Sequence, residues 1–177
     1  TETAQIAVQS ALSGHLVLCT LHTNTAAGAI TRLEDMGVER YLITSSVNGV
    51  LAQRLVRRLC SDCREPVEVQ NAAVKASGIE RFLAAGQQEV YRGRGCENCK
   101  DTGYRGRVAI HELLVMDTEI QKMVLAGADA TALHAAVRSK GMLTLYEDGL
   151  RKVAAGVTSL EELLRVTQDQ SEQDMVA

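Results

Sequence analysis

Apolar residues recur at helical spacing from the start of the chain. Ile6, Ala7, Ser10 and Ala11 fall on one side of residues 2–13, and Gly14 follows as a C-terminal stop. His15 to Leu21 (HLVLCTL) is then a short continuous apolar run, the pattern of a parallel strand buried on both faces, with Cys19 as a small core residue. Polar His22-Thr23-Asn24 leads into TAAGAITRLEDMG, where Ala26, Ile30 and Leu33 make a helical stripe that Gly37 closes. Helix, buried strand and helix in succession predict an α/β fold built on a parallel sheet.

Glu39 to Val47 again has helical character, and Asn48 to Leu59 (NGVLAQRLVRRL) suits a strand better than a helix. The pattern changes at Cys60. A stretch with the only proline (Pro66), a helix expected over Asn71–Ala85 and the glycine-rich GRGCENCKDTGYRGR reads as an insertion over 60–107. Val108 to Met116 (VAIHELLVM) returns to a strand pattern. Asp117, Asp129 and Thr158 then stand where N-caps precede helices, and Thr158-Ser-Leu-Glu161 fits a capping box with Leu160, Leu163 and Leu164 as its apolar face. The expected division is therefore 1–59, 60–107, 108–166 with a helical bundle from 117, and a polar, aperiodic tail at 167–177 that reads as disordered.

Composition narrows the function classes. With 46% apolar residues, 23% charged residues and a net charge of −3, the chain is an ordinary globular sequence. Trp is absent and Phe occurs once, which argues against base stacking and nucleic-acid binding. No apolar run approaches the ~18 residues of a membrane span, and no basic leader opens the chain, so a cytoplasmic location is expected. The helical pattern begins at residue 1 without a linker, which reads as a fragment of something longer.

The strongest chemical signal is Cys60-x2-Cys63 with Cys96-x2-Cys99, two knuckles whose four thiolates can close a tetrahedral zinc shell. Disulfides or redox chemistry are the alternative; the absence of a secretion signal favours zinc. Four thiolates leave no coordination position open, so such a metal is structural rather than catalytic. His22 lies at the carboxyl end of the expected strand, the edge where open α/β sheets bind ligands. On position alone it suits either a phosphate contact or a satisfied structural histidine. His111-Glu112 opens like H-E-x-x-H, but Val115 replaces the second histidine and the metalloprotease reading fails. There is no G-x-x-x-x-G-K-[ST], and no aspartate-ended apolar strand to hold Mg2+. Arginines outnumber lysines 14 to 5 and cluster at Arg54, Arg57 and Arg58 and at Arg92, Arg94, Arg105 and Arg107. Most suit a solvated face, whereas Arg107 follows a tight turn directly into a strand.

Four segments in order, TETAQIAVQSALSGHLVLCTLHTNTAAGAITRLEDMGV, VLAQRLVRRLCSDC, CENCKDTGYRGRVAIHELL and GVTSLEELLRVT, closely resemble the C-terminal part of the type II secretion ATPases of the GspE type. Type IV pilus assembly ATPases of the PilB type are the nearest relatives and the alternative branch. The resemblance implies the latter part of a RecA-like P-loop ATPase sheet (1–59), an inserted four-cysteine zinc module (60–107), and a returning strand with a C-terminal helical bundle (108–166). It implies a cytoplasmic hexamer, peripheral at the inner membrane through platform proteins, that uses ATP and Mg2+ to drive pseudopilus assembly. Leu21-His22-Thr23-Asn24 matches the family's His box, in which the histidine approaches the γ-phosphate. Glu2-Thr3 matches the end of Walker B, Arg107 an arginine near nucleotide at a subunit contact, and Cys60, Cys63, Cys96 and Cys99 the zinc ligands. Because Walker A is missing, the chain is expected to be inactive alone and to leave sheet edge and apolar surface uncovered. A zinc-dependent module that docks a membrane-platform protein is the competing reading.

Overall fold

The computed structural model describes residues 2–173, with side chains through Thr167. Helix α1 (Glu2–Leu12) ends where the His15 amide turns back to donate to Ser10 O at 3.2 Å. The chain from His15 to Asn24 is then extended but forms no strand. This corrects the buried strand expected at His15–Leu21: Leu16 and Leu18 are 82% and 88% exposed, and Cys19 is exposed as well. A parallel strand takes its hydrogen bonds and its cover from neighbours, and among the described residues no strand pairs with this segment.

Helix α2 (Ala26–Asp35) forms as the spacing requires. Thr25 Oγ1 accepts from the Gly28 amide, and Ala26, Ala27, Ala29, Ile30 and Leu33 are buried. Helix α3 (Arg40–Ser46) buries Ile43. Strand β1 (Gly49–Leu59) settles the ambiguous stretch by its period of two, with Ala52 and Val56 inside and their odd-numbered neighbours outside. Strand β2 (Arg64–Glu68) follows the first knuckle. The helix expected over Asn71–Ala85 is cut short: α4 (Ala72–Ala76) gives way to a 3-10 turn at Ile79–Phe82, because Gly78 adopts φ +75° and reverses the backbone between them.

Strand β3 (Glu89–Gly93) pairs antiparallel with β2, in register from Arg64 opposite Gly93 to Glu68 opposite Glu89. Strand β4 (Tyr104–Val115) pairs with β1. At one end Met116 N–H donates to Asn48 O and at the other Cys60 N–H donates to Gly103 O, so this pair also runs antiparallel. The expectation of a parallel sheet is thus corrected at the level of strand pairing among the described residues, while the α/β class holds.

Four helices follow: α5 (Thr118–Ala126), α6 (Ala130–Ser139), α7 (Leu145–Ala154) and α8 (Leu160–Gln173). Asp117 and Asp129 cap α5 and α6 as expected, each accepting from amides of the first turn. The third cap is displaced by one residue: Ser159 Oγ accepts from Glu162 N–H, while Thr158 Oγ1 donates to Arg57 O. The capping box read at Thr158–Glu161 therefore does not form. Part of the tail expected to be disordered is helical, since α8 continues to Gln173; residues 174–177 lie outside those described.

The chain divides into two compact units. One consists of Thr1–Ala52 with Glu112–Leu143, and the other of Gln53–His111 with the chain from Thr144 onward. In the first, Ile30, Ile43, Leu114, Ile120 and Leu133 are the large core residues; in the second, Val56, Ile79, Val90, Ile110, Leu150 and Leu163 are. The apolar sides of α5 and α6 belong to the core that α2 and α3 build, whereas those of α7 and α8 close on each other and on the inserted segment.

Within the second unit, Glu162 is 1% exposed yet fully satisfied. Arg57 gives it its backbone N–H at 3.0 Å and two guanidinium contacts at 3.0 and 2.7 Å, and Arg165 gives two more at 2.9 and 2.8 Å. The Arg57 guanidinium also lies 4.2 Å from the centroid of the Tyr104 ring, and Tyr104 Oη shares a 2.6 Å hydrogen bond with Ser159 Oγ. Burial works to raise the Glu162 pKa, but the hydrogen bonds from Arg165 and Arg57 outweigh it and hold it down at about 2. A carboxyl depressed in the folded state stabilises above its ordinary pKa, and that stability is lost as pH falls from about 4.5 toward 2. Glu162→Gln should therefore cost about 2–3 kcal/mol at pH 7, after allowance for the half-exposed arginines. The gap to the unsubstituted chain should narrow by pH 3. Denaturant unfolding at the two pH values measures both, and an equal gap at each would refute the role given to the carboxylate.

Candidate functional site

The four cysteines come together as their spacing demands. Cys60 follows the last residue of β1 and Cys63 precedes the first residue of β2, with Arg64 N–H donating to Cys60 O to close the first knuckle. Cys96 and Cys99 bracket a 3-10 turn, Asp101 N–H returns to Cys96 O, and β4 starts five residues after Cys99. Lys100 and Asp101 both adopt positive φ, at 53° and 60°, to make this reversal. The two knuckles are tied by backbone: Cys60 N–H donates to Gly103 O at 2.9 Å and Arg94 N–H to Cys63 O at 3.2 Å. Gly93 and Gly103 lie back to back, so that a Cβ on Gly93 would stand 2.6 Å from Gly103 O.

The four sulfurs lie within 4.8 Å of one another, with Cys60–Cys96 at 3.9 Å, Cys63–Cys99 at 3.8 Å and Cys96–Cys99 at 3.7 Å. Those separations are nearly twice a disulfide bond. They match the edges, about 3.8 Å, of a sulfur tetrahedron around an ion with metal–sulfur bonds of about 2.3 Å. Cys60, Cys63 and Cys99 are buried and Cys96 is half-buried. The Cys96 and Gly103 amides both donate to Cys99 Sγ at 3.2 Å. Burial pushes against ionising Cys99, but these two amides prevail and hold its thiol at about 6; Cys63 is pushed up to about 12 by burial and by the neighbouring sulfurs. Four thiols so close resist ionising together unless a cation joins them. The cluster can hold a metal ion, and it fills every position of a tetrahedral shell.

The remaining residues singled out in the sequence are not drawn into this cluster. His22 is exposed in the extended segment before α2, and Glu2 is exposed in the first turn of α1; both belong to the first unit. Arg107 is exposed on β4, in the second unit. Among the described residues, none of the three is hydrogen-bonded or ion-paired to another. Of the arginine clusters, Arg57 is committed to Glu162 and Tyr104, and Arg92 pairs with Glu65 at 2.7 Å. Arg58, Arg94 and Arg105 are exposed.

Three buried carboxylates escaped the sequence reading. One is Glu162; a second is Glu147, 7% exposed, which accepts from Arg81 Nη1 and from the Thr144 amide at the start of α7. The third is Glu112, 2% exposed, whose Oε1 accepts from the Ala26 amide at 2.9 Å while Oε2 lies 3.8 Å from His134 Nε2. A signal for Glu112 was present, since it falls on the inward register of β4 between Ile110 and Leu114. A carboxylate in an apolar slot requires a donor.

Comparison with known proteins agrees with the resemblance carried by the motifs. The family model described as "Type II/IV secretion system protein" matches residues 1–165. The type IV pilus assembly ATPase PilB of Thermus thermophilus is 51% identical over 166 residues, covering 94% of this chain and 19% of that protein. The type II secretion system protein E of Aeromonas hydrophila is 51% identical over 168 residues, covering 95% of this chain and 33% of that protein. The chain thus spans between a fifth and a third of the length of these relatives. Among solved structures, the pilus retraction motor PilT with bound ADP matches at a TM-score of 0.60 and 22% identity, over 97% of this chain and 38% of that one. That likeness concerns the fold alone, and it agrees with the α/β class, here carrying a four-cysteine insertion and a helical C-terminal part. With its family match reaching from residue 1 to 165 and half its residues identical to those of secretion and pilus-assembly proteins, the chain belongs to the Type II/IV secretion system protein family.

Proposed function

We propose that this chain is the C-terminal part of a cytoplasmic hexameric ATPase that powers type II secretion by driving pseudopilus assembly. The observation that carries the reading is the 51% identity to a type II secretion system protein E over 95% of the chain. Equal identity to a PilB makes pilus assembly the second reading, with the same chemistry and a different filament. Residues 1–59 and 108–166 supply the latter part of the motor domain, and 60–107 the inserted lobe. Attachment at the inner membrane is through platform proteins; no described helix is long and apolar enough to cross a membrane.

The role of each nucleotide-site residue follows from the family motif that it matches. His22, exposed just ahead of α2, donates a hydrogen bond to the γ-phosphate of ATP. Arg107 supplies positive charge to a nucleotide at a subunit boundary. Glu2 closes the acidic stretch that faces Mg2+. None of these replaces the backbone cradle of a G-x-x-x-x-G-K-[ST] loop, which this sequence does not contain. Cys60, Cys63, Cys96 and Cys99 hold zinc, the divalent ion that best suits a closed shell of four sulfurs. When bound it supplies a fixed cross-link and no open position for water. The Cys96 and Gly103 amides spread the charge of the Cys99 sulfur, as hydrogen bonds to ligating sulfur do.

Two outcomes are expected. Freshly prepared protein should contain one zinc per chain by elemental analysis. Cys99→Ser or chelation should remove it and lower the thermal midpoint by on the order of 10 °C; metal-free protein of unchanged stability would sink the assignment. In phosphate-release assays this chain alone should be inactive, whereas a longer form that includes the P-loop should turn over. His22→Ala in that longer form should lower kcat at least about tenfold, the range of a lost contact to developing charge. Turnover by the present chain would overturn the reading.

A further inference from the structure

Glu112 is a buried acid that neither the metal cluster nor the Arg57 network uses. It sits on the inward register of β4, 2% exposed, with Ile110 and Leu114 on either side of it along the strand. Its Oε1 accepts from the backbone N–H of Ala26, the first residue of α2, at 2.9 Å. Thr25 Oγ1 accepts from Gly28 N–H in the same turn. The end of α2 is thus held from two directions: by its own cap residue and by a side chain 86 positions away. Near the second Glu112 oxygen lies His134, on α6, at 3.8 Å, outside hydrogen-bonding distance.

The placement matters because of what precedes Ala26. Residues 15–24 have no strand to pair with among the described residues, and Leu16, Leu18 and His22 are exposed. The segment has no strand ladder of its own; Leu21 packs against the first core, and at the start of α2 the Ala26 amide is held by Glu112. A loop whose last residue is pinned has its reach defined; one that ends on a frayed helix turn does not.

We propose that Glu112 is a positioning residue for the His22 loop: through its hydrogen bond to Ala26 N–H it fixes where residues 22–25 leave the core, and so where the His22 imidazole is presented. The tether is a property of this chain. Its bearing on turnover rests on the reading of His22 as a phosphate contact. What the tether needs from residue 112 is an acceptor oxygen of the right length, not a charge, and this separates it from a role in pairing with His134.

The experiment is residue-resolved amide hydrogen exchange by NMR on the 177-residue chain, with Glu112→Leu and Glu112→Gln. Leu fills the buried slot without an acceptor; Gln keeps an oxygen and loses the charge. Expected for Glu112→Leu is exchange at Ala26 and at residues 22–25 faster by at least about tenfold, with the amides of Ile120 and Leu133 unchanged. The His22 ring resonances should shift as well. Glu112→Gln should restore slow exchange and the His22 shifts. Loosening by Glu112→Gln as large as by Glu112→Leu would show that the charge matters and overturn the proposal. So would faster exchange throughout the first unit, the mark of a residue that only holds the fold, or no change in either variant. In a longer, P-loop-bearing form, Glu112→Leu should lower kcat for ATP with KM little altered, and Glu112→Gln should recover it. If His22→Ala leaves that turnover intact, the phosphate reading of His22 fails while the exchange data still decide the tether.

Discussion

Four sulfur atoms confined within 4.8 Å impose the constraint on which the inserted part of this chain depends. Cys60 and Cys63 join the end of β1 to the start of β2, and the segment from Cys96 to Gly103 joins the end of β3 to the start of β4. The cluster is thus the point where all four strands begin or end, and the two antiparallel pairs take their registers from one place. The backbone contacts around it, Cys60 to Gly103 and Arg94 to Cys63, are short because the glycines let two chain segments touch without side chains between them. Burial and crowding set the thiols against one another, with Cys99 inclined to ionise and Cys63 opposed to it. An ion resolves that conflict by charge, which a packed apolar residue cannot do.

Two of the buried glutamates, Glu162 and Glu112, show a different use of a carboxylate. Glu162 gathers two arginines and one backbone amide, and through Arg57, Tyr104 and Ser159 it connects β1, β4 and the start of α8 within the second unit. Glu112 has one backbone donor and a histidine at a distance. Both fix backbone amides far away in sequence, and both stand on elements whose other inward residues are aliphatic. In each case the carboxylate specifies a register that apolar packing alone leaves free, because leucine and isoleucine slide where a hydrogen bond does not.

Much of this was legible in the sequence. The stripe of α2, the helical character of α3, the caps at Asp117 and Asp129 and the paired C-x2-C spacing all translate directly, because each depends on neighbours a few residues away. On α1 the helix forms but the expected side is only partly right, since Ile6 is exposed and Val8 is buried. Reading failed where the deciding partner was distant or lacking. HLVLCTL has the composition of a buried strand, but composition does not supply a neighbouring strand, and the segment is extended and exposed. The helix expected over Asn71–Ala85 yields at Gly78, whose positive φ a propensity sum does not weigh heavily enough. Thr158 looked like the cap of α8 until Arg57 O, 101 residues earlier, claimed its hydroxyl and left the role to Ser159. Glu112 was tested as part of a zinc motif and dismissed with it, although its place in the alternation of β4 marked it as buried.

The division into compact units has a consequence for biosynthesis. The first unit is assembled from two stretches separated by 53–111, and the second resumes only at Thr144. As the polypeptide leaves the ribosome, Ile30 and Ile43 emerge long before Ile120 and Leu133, with which they share a core. They must wait uncovered while the cysteine-bearing stretch is made. That stretch in turn lacks Leu150 and Leu163 until the residues beyond Thr144 have emerged. Neither unit can complete its core in order of appearance, so apolar surface stays uncovered while the intervening residues are made.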